Sequence, residues 1–273
     1  LAPLETERVN KAASLALRAL ALAFAFLTII PVRFAGKAPT DGELEASRYG
    51  FPCVGLAIGL LIAAFSALLN AVGAPLWPAA AVLLASIVLI SGALHLDGLA
   101  DSADGLCMPR GDVDRRLEVM RDPHVGSFGV AAIGLNLIAK FSALATLTGE
   151  ARTLAVIAAV TIGRTLILVS AGLASSARHD GTGRVFIQAT TERDAICSAL
   201  GAGALSAALL GLPGLLAAGA ALAVTIAVTR FARARLGGIT GDILGAVLEL
   251  SETTLLLILA LAQTAPEPTV PSW

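Results

Sequence analysis

The sequence predicts an all-α, polytopic transmembrane helical bundle of about seven spans, preceded by an N-terminal re-entrant or interfacial helix. Three observations carry that prediction. Of 273 residues, 56% are hydrophobic and 14% charged, with a mean hydropathy of +0.83, whereas soluble domains carry about 25% charged residues. Aromatic residues make up only 4% while Ala, Leu and Gly dominate, a mixture suited to helices packed closely in lipid through small residues rather than to a β-barrel. Apolar stretches long enough to span a bilayer recur along the chain, separated by hydrophilic segments.

The first apolar stretch, Ala19 to Ile30, lies between Arg18 and Pro31 and falls short of the roughly 20 residues a span needs. Spanning would also strand Arg8, Lys11 and Arg18 on the far side, so both its ends are expected on one face. The acids Glu5 and Glu7 argue against a secretory signal peptide. Seven segments then approach spanning length: Phe51 to Val72, Pro75 to Leu94, Ser127 to Thr148, Thr153 to Ala177, Ala195 to Leu212, Pro213 to Thr229, and Ile243 to Ala262. The fifth and sixth meet at Gly211-Leu212-Pro213-Gly214, where Gly and Pro favour a reversal over one very long helix. The chain reads as one integral membrane domain, with residues 1–50 a cytoplasmic and re-entrant segment, 51–263 the bundle, and 264–273 an external tail without Lys or Arg.

The loops fix the sidedness. Arg33 to Gly50, Asp97 to Gly126, Arg178 to Asp194 and Arg230 to Asp242 hold three, four, three and three Lys or Arg, and the stretch through Arg18 holds three more, so 16 of 19 fall on one face. The positive-inside rule makes that face cytoplasmic. The net charge of -1 offers nothing for a nucleic-acid partner. Cys53, Cys107 and Cys197 are far apart, which suggests neither a disulfide framework nor a zinc site.

Acids crowd the same face: 18 of the 20 Asp and Glu fall in these segments or toward the helix ends that meet them. The densest run is His95-Leu96-Asp97-Gly98-Leu99-Ala100-Asp101-Ser102-Ala103-Asp104-Gly105. On a helix, Asp97, Asp101 and Asp104 lie within an arc of about 60°. Like charges so spaced repel, and a cation is the natural compensation. Carboxylates without a Cys or His cluster favour Mg²⁺, which shares its remaining positions with water and substrate phosphate.

A second acidic set follows Gly237-Gly238-Ile239-Thr240-Gly241. Asp242, near the membrane surface, is the better metal or substrate candidate. Glu249 and Glu252 lie roughly 10 and 15 Å further along the helix, and acids at such depth mark functional sites; they either contact substrate or pair with Lys140 and Arg164. The loop Arg115-Arg116-Leu117-Glu118-Val119-Met120-Arg121-Asp122-Pro123-His124-Val125-Gly126 puts cations before a Gly-bearing helix start, suited to clamping phosphate. A similar but weaker basic loop begins at Arg178. The three histidines are too scattered in sequence to imply a metal site.

These motifs resemble the cobalamin synthase family, the adenosylcobinamide-GDP ribazoletransferases, over nearly the whole chain from Phe26-Leu27-Thr28-Ile29-Ile30-Pro31-Val32 onward. The resemblance is most specific in HLDGLADSADG from His95, RRLEVMRDPHVGSFG from Arg115, and GGITGDILGAVLELSE from Gly237. It implies joining of GDP-activated adenosylcobinamide to α-ribazole or its 5′-phosphate, with release of GMP, at the cytoplasmic (inner) membrane and with Mg²⁺. Asp97, Asp101, Asp104 and Asp242 are then expected around the metal, with Asp101 or Asp104 taking the hydroxyl proton. Arg115, Arg116, Arg121, Asp122, Gly126, Arg178, Glu249 and Glu252 are the expected substrate contacts. The lipid bilayer is the expected surround, with a homo-oligomer or other cobalamin-assembly enzymes as expected partners. Two other readings stay open. One is a lipid-headgroup transferase like the CDP-alcohol phosphotransferases, although their D-G-x-x-A-R run is absent, since Asp97-Gly98 is followed by Leu99-Ala100-Asp101. The other is a transporter using the intramembrane charges.

Overall fold

In the computed structural model, which describes residues 2–32 and 38–264, the chain forms eleven helices: α1 (Ala2–Leu27), α2 (Asp41–Ser47), α3 (Phe51–Ala71), α4 (Leu76–Ile90), α5 (Leu94–Cys107), α6 (Val113–Val119), α7 (Ser127–Thr146), α8 (Gly149–Gly172), α9 (Thr182–Ala189), α10 (Glu192–Leu236) and α11 (Gly241–Thr264). Apart from one isolated parallel bridge between Ser176 and Ile239, the described residues contain no β-structure. Among the described residues, five helices are long and apolar enough to cross a membrane, or six if the bent pair α4–α5 counts as one span.

That count takes α10 as a single helix, but its backbone leaves helical geometry at Gly211 (φ 63°, ψ −145°). The chain doubles back there: the Ser206 hydroxyl donates to the Gly214 carbonyl at 2.8 Å, although eight residues of straight helix would separate them by about 12 Å. The arms 192–210 and 212–236 therefore correspond to the expected fifth and sixth segments. The first apolar stretch belongs to α1, whose apolar part, Ala13–Leu27, is too short for a span. Its C-terminal end is pinned beside the start of α3 and the end of α4, where Phe26 stacks on Phe51 with ring centroids 5.9 Å apart and the Ile29 amide donates to the Ile90 carbonyl at 2.9 Å. The expected tail beyond Thr264 lies outside the described residues.

Helix α8 is the axis of the bundle, its apolar face almost wholly buried against α3, α10 and α11. Small residues bring these helices close. A Cβ at Gly55 would sit 2.9 Å from the Thr161 backbone, and one at Gly163 2.6 Å from the Glu252 side chain. At the bundle centre Lys140 of α7 lies 2.7 Å from Glu249 and 3.0 Å from Glu252 of α11, while Arg164 of α8 lies 2.7 Å from Glu252. Two acids and two bases so paired tie three helices together without net charge.

Between α4 and α5 the axis turns by 85°. Gly92 and Ala93 take consecutive positive φ values of 62° and 60°, conformations that end α4 abruptly. Helix α5 then runs across one end of the bundle, from the N-terminus of α11, where Gly98 abuts Asp242, to the N-terminus of α7, where Asp104 meets Gly126 and Gly129. The sequence pattern placed a loop over much of this stretch; a helix forms because Leu96, Leu99, Ala100 and Leu106 find apolar cover beneath it.

Candidate active site

Helix α5 lays its acids along the end of the bundle: Asp97 is exposed, and Asp101 and Asp104 are half-buried. Gly98 allows α5 to rest on the α11 terminus, since a Cβ there would stand 2.8 Å from the Asp242 carbonyl oxygen. This close crossing adds Asp242 to the stripe. The crowding shows in Asp101, whose carboxyl is pushed up to about 7 by burial and then by the neighbouring charges of Asp242 and Asp97, against the pull of Arg178.

Arg178 arrives through a pairing of two loops. The Ala177 amide donates to the Ile239 carbonyl at 2.8 Å and the Ile239 amide to that of Ser175 at 2.9 Å. Gly238 is needed for this contact, because a Cβ would approach the Ser175 carbonyl to 2.6 Å. The pairing sets the Arg178 guanidinium 2.9 Å from the Asp242 carboxylate, which also accepts from the Thr240 hydroxyl at 3.2 Å. A second Arg178 nitrogen donates to the Met120 carbonyl at 3.3 Å, linking this corner to the loop after α6.

The other expected residues divide by what they touch. The Asp104 carboxylate accepts the amides of Gly126 at 2.7 Å and Gly129 at 3.0 Å, so both oxygens anchor the start of α7 and the Gly126 amide is engaged there. Arg116, expected on phosphate, is 5% exposed and donates to the carbonyls of Gly105 and Leu106 at 2.8 and 3.1 Å, capping the end of α5. Its burial removes it from the phosphate contacts expected of the loop. Arg115 pairs with Glu118 at 2.6 Å on the surface, Arg121 with Asp180 at 2.6 Å, and Asp122 with His124 of its own turn at 2.7 Å. Arg121 and Arg178 line an open cavity of about 670 Å³ together with His179 and Asp180. Glu249 and Glu252 are not brought to this surface; they occupy the buried network with Lys140 and Arg164.

The arrangement thus gathers three carboxylates, Asp97, Asp101 and Asp242, from two helices beside the guanidinium of Arg178. Among the described residues no group of three or more His, Cys, Asp or Glu side chains is placed to hold a metal ion. What sequence reasoning missed here is the supporting set, namely Thr240, the Met120 carbonyl and the 175–177 segment against 239. These are single contacts between irregular loops and leave no periodic signature.

Comparison with known proteins adds identity to this geometry. A family model described as cobalamin-5-phosphate synthase matches residues 19–260. A protein of Pseudomonas fluorescens called adenosylcobinamide-GDP ribazoletransferase is 40% identical over 241 residues, covering 88% of this chain and 98% of that one. Relatives of the same name from Pseudomonas entomophila and Stutzerimonas stutzeri are 40% and 38% identical, covering 88% and 89% of this chain and 97% of each relative. No solved structure matches the chain.

Proposed function

The chain belongs to the cobalamin-5-phosphate synthase family, and from that membership we infer that it is an adenosylcobinamide-GDP ribazoletransferase acting within the membrane. The reaction joins GDP-activated adenosylcobinamide to α-ribazole or its 5′-phosphate, closing the nucleotide loop of the cobalamin. A ribazole hydroxyl oxygen attacks the cobinamide-linked phosphorus, the bond from that phosphorus to the bridging pyrophosphate oxygen breaks, and GMP leaves. The hydroxyl loses its proton, and negative charge gathers on the transferred and leaving phosphates.

The observation that carries the site assignment is the meeting of Asp97, Asp101 and Asp242 next to Arg178 on one open face. Mg²⁺ fits that donor set. Its oxygens are hard, their mutual repulsion calls for a cation, and Mg²⁺ is commonly held by one or two carboxylates with water and substrate phosphate completing the shell, so a finished protein cage is not required. In this reading Asp97 and Asp242 would hold the ion, which would supply charge neutralisation to the phosphates. Arg178 and Arg121 bind phosphate from the side of the adjoining cavity. Asp104, with both oxygens engaged by amides, positions α7. Asp101, beside the Asp97 and Asp242 carboxylates, is the one suited to receive the hydroxyl proton. The concentration of Lys and Arg on this face supports a cytoplasmic-facing site in the inner membrane.

The metal requirement is tested by stripping the purified protein with a chelator and restoring divalent cation. Mg²⁺ is expected to restore GMP release, and Asp242→Asn to raise the Mg²⁺ needed for half-maximal activity about tenfold or more. Full activity after stripping would contradict the metal assignment.

A further inference from the structure

His95 opens α5 on the buried side of the acidic stripe. It is 4% exposed, and its Nε2 has no hydrogen-bond partner, a state that buried polar atoms rarely keep. Its backbone packs against α11, where a Cβ at Gly245 would lie 3.3 Å from it. His95 lines a cavity of about 150 Å³ whose lining includes Asp97 and Asp242 together with Phe26, Ile167 and Leu244.

The geometry points to this cavity as the seat of the heterocyclic base of the incoming ribazole, with His95 hydrogen-bonding a ring nitrogen of that base. The inference rests on the transfer reaction proposed above and goes beyond it by assigning the second substrate a place. The cavity is smaller than the about 300–1,000 Å³ of sites that enclose whole drug-sized ligands, so it excludes a corrin and admits a single planar ring system. Apolar walls suit the faces of such a ring, and an orphan imidazole nitrogen suits its one polar edge. Asp97 and Asp242 in the lining bring the ribose of a base seated here beside the acidic stripe. Arg121 and Arg178, proposed above for the phosphates, line a separate cavity.

The test compares α-ribazole with an analogue whose base carries C–H in place of the unsubstituted ring nitrogen, measuring kcat and KM by GMP release from adenosylcobinamide-GDP. Wild-type protein is expected to prefer α-ribazole by about tenfold or more in kcat/KM, because a site built around a hydrogen bond rejects a ligand lacking it. His95→Phe is expected to abolish that preference while leaving the KM for adenosylcobinamide-GDP unchanged, and His95→Asn, which restores a polar edge, to recover part of it. Equal use of the two nucleosides by wild type would overturn the assignment without any variant having to fold. A preference surviving in His95→Phe, or a KM rise for both substrates, would overturn it as well. Absence of GMP release from wild type with either nucleoside would instead sink the transferase reading, and this inference with it.

Discussion

Asp101 and Asp104 stand one turn apart on α5 and are used differently because their surroundings differ. Asp104 is spent on two backbone amides. A Cβ at Gly129 would collide with its carboxylate, so Gly129→Ala is expected to lower stability by about 1–3 kcal/mol, read as a lower unfolding midpoint in detergent. An unchanged midpoint would show that this anchor carries little. Asp101 has no such donors and is pushed up to about 7. Its sign is opposite to that of a salt-bridged acid: the raised carboxyl prefers its proton in the fold, so the metal-free fold is penalised as pH rises from the ordinary carboxylate range toward 7. A cation held beside it by Asp97 and Asp242 disfavours that proton below about pH 7, so Mg²⁺ affinity is expected to rise with pH up to about 7 and flatten above it, with proton release on binding. Calorimetric titration at several pH values reads this directly, and affinity constant between pH 5.5 and 7 would contradict it. The stripe of three aspartates was legible from spacing alone. That Asp104 would be taken by amides 22 and 25 residues away was not, because nothing local in the sequence marks a carboxylate for a distant helix start.

Helices were legible where apolar length defined them and obscure where tertiary contact did. The segments expected from Phe51, Ser127, Thr153 and Ile243 correspond to α3, α7, α8 and α11, and the Gly-Leu-Pro-Gly signal marked the reversal inside α10. Helix α5 was legible only through the spacing of its acids, which otherwise disguise a helix that is apolar only on its underside. Its direction is set by the turn at Gly92 and Ala93, and Ala93 is the one described non-glycine residue there with positive φ. Ala93→Gly is therefore expected to stabilise by about 1 kcal/mol. Gly92→Val should destabilise more than that gain, since a side chain at Gly92 meets Ile29. Thermal unfolding of the two variants side by side checks both signs; destabilisation by Ala93→Gly would mean that the turn is not strained.

Across the molecule's described residues, apart from Glu150 and Arg152 at the start of α8, charge is sorted into two places. One is the end of the bundle, where the basic loops and the acidic stripe meet; the other is the buried set of Lys140, Arg164, Glu249 and Glu252. Sequence reasoning had both uses of Glu249 and Glu252 in view, substrate contact or pairing with Lys140 and Arg164, and the structure pairs them. Breaking such a set exposes an uncompensated charge, so Lys140→Met is expected to cost about 3–5 kcal/mol, with Lys140→Met/Glu249→Gln recovering part of the loss in the same unfolding assay. Additive losses would contradict coupling. The resemblance carried by three motifs already pointed to the family, while the site's third dimension, α5 laid across α11 with Arg178 brought in by loop pairing, came only from the fold. We propose that this open acidic face performs the ribazole transfer. The first measurement is GMP release and cobalamin formation from adenosylcobinamide-GDP and α-ribazole, using purified wild type and Asp97→Asn with and without Mg²⁺. Mg²⁺-dependent product is expected from wild type, with a loss of about 100-fold or more in the variant; wild-type activity retained in Asp97→Asn, or no product from folded wild type, would overturn the assignment.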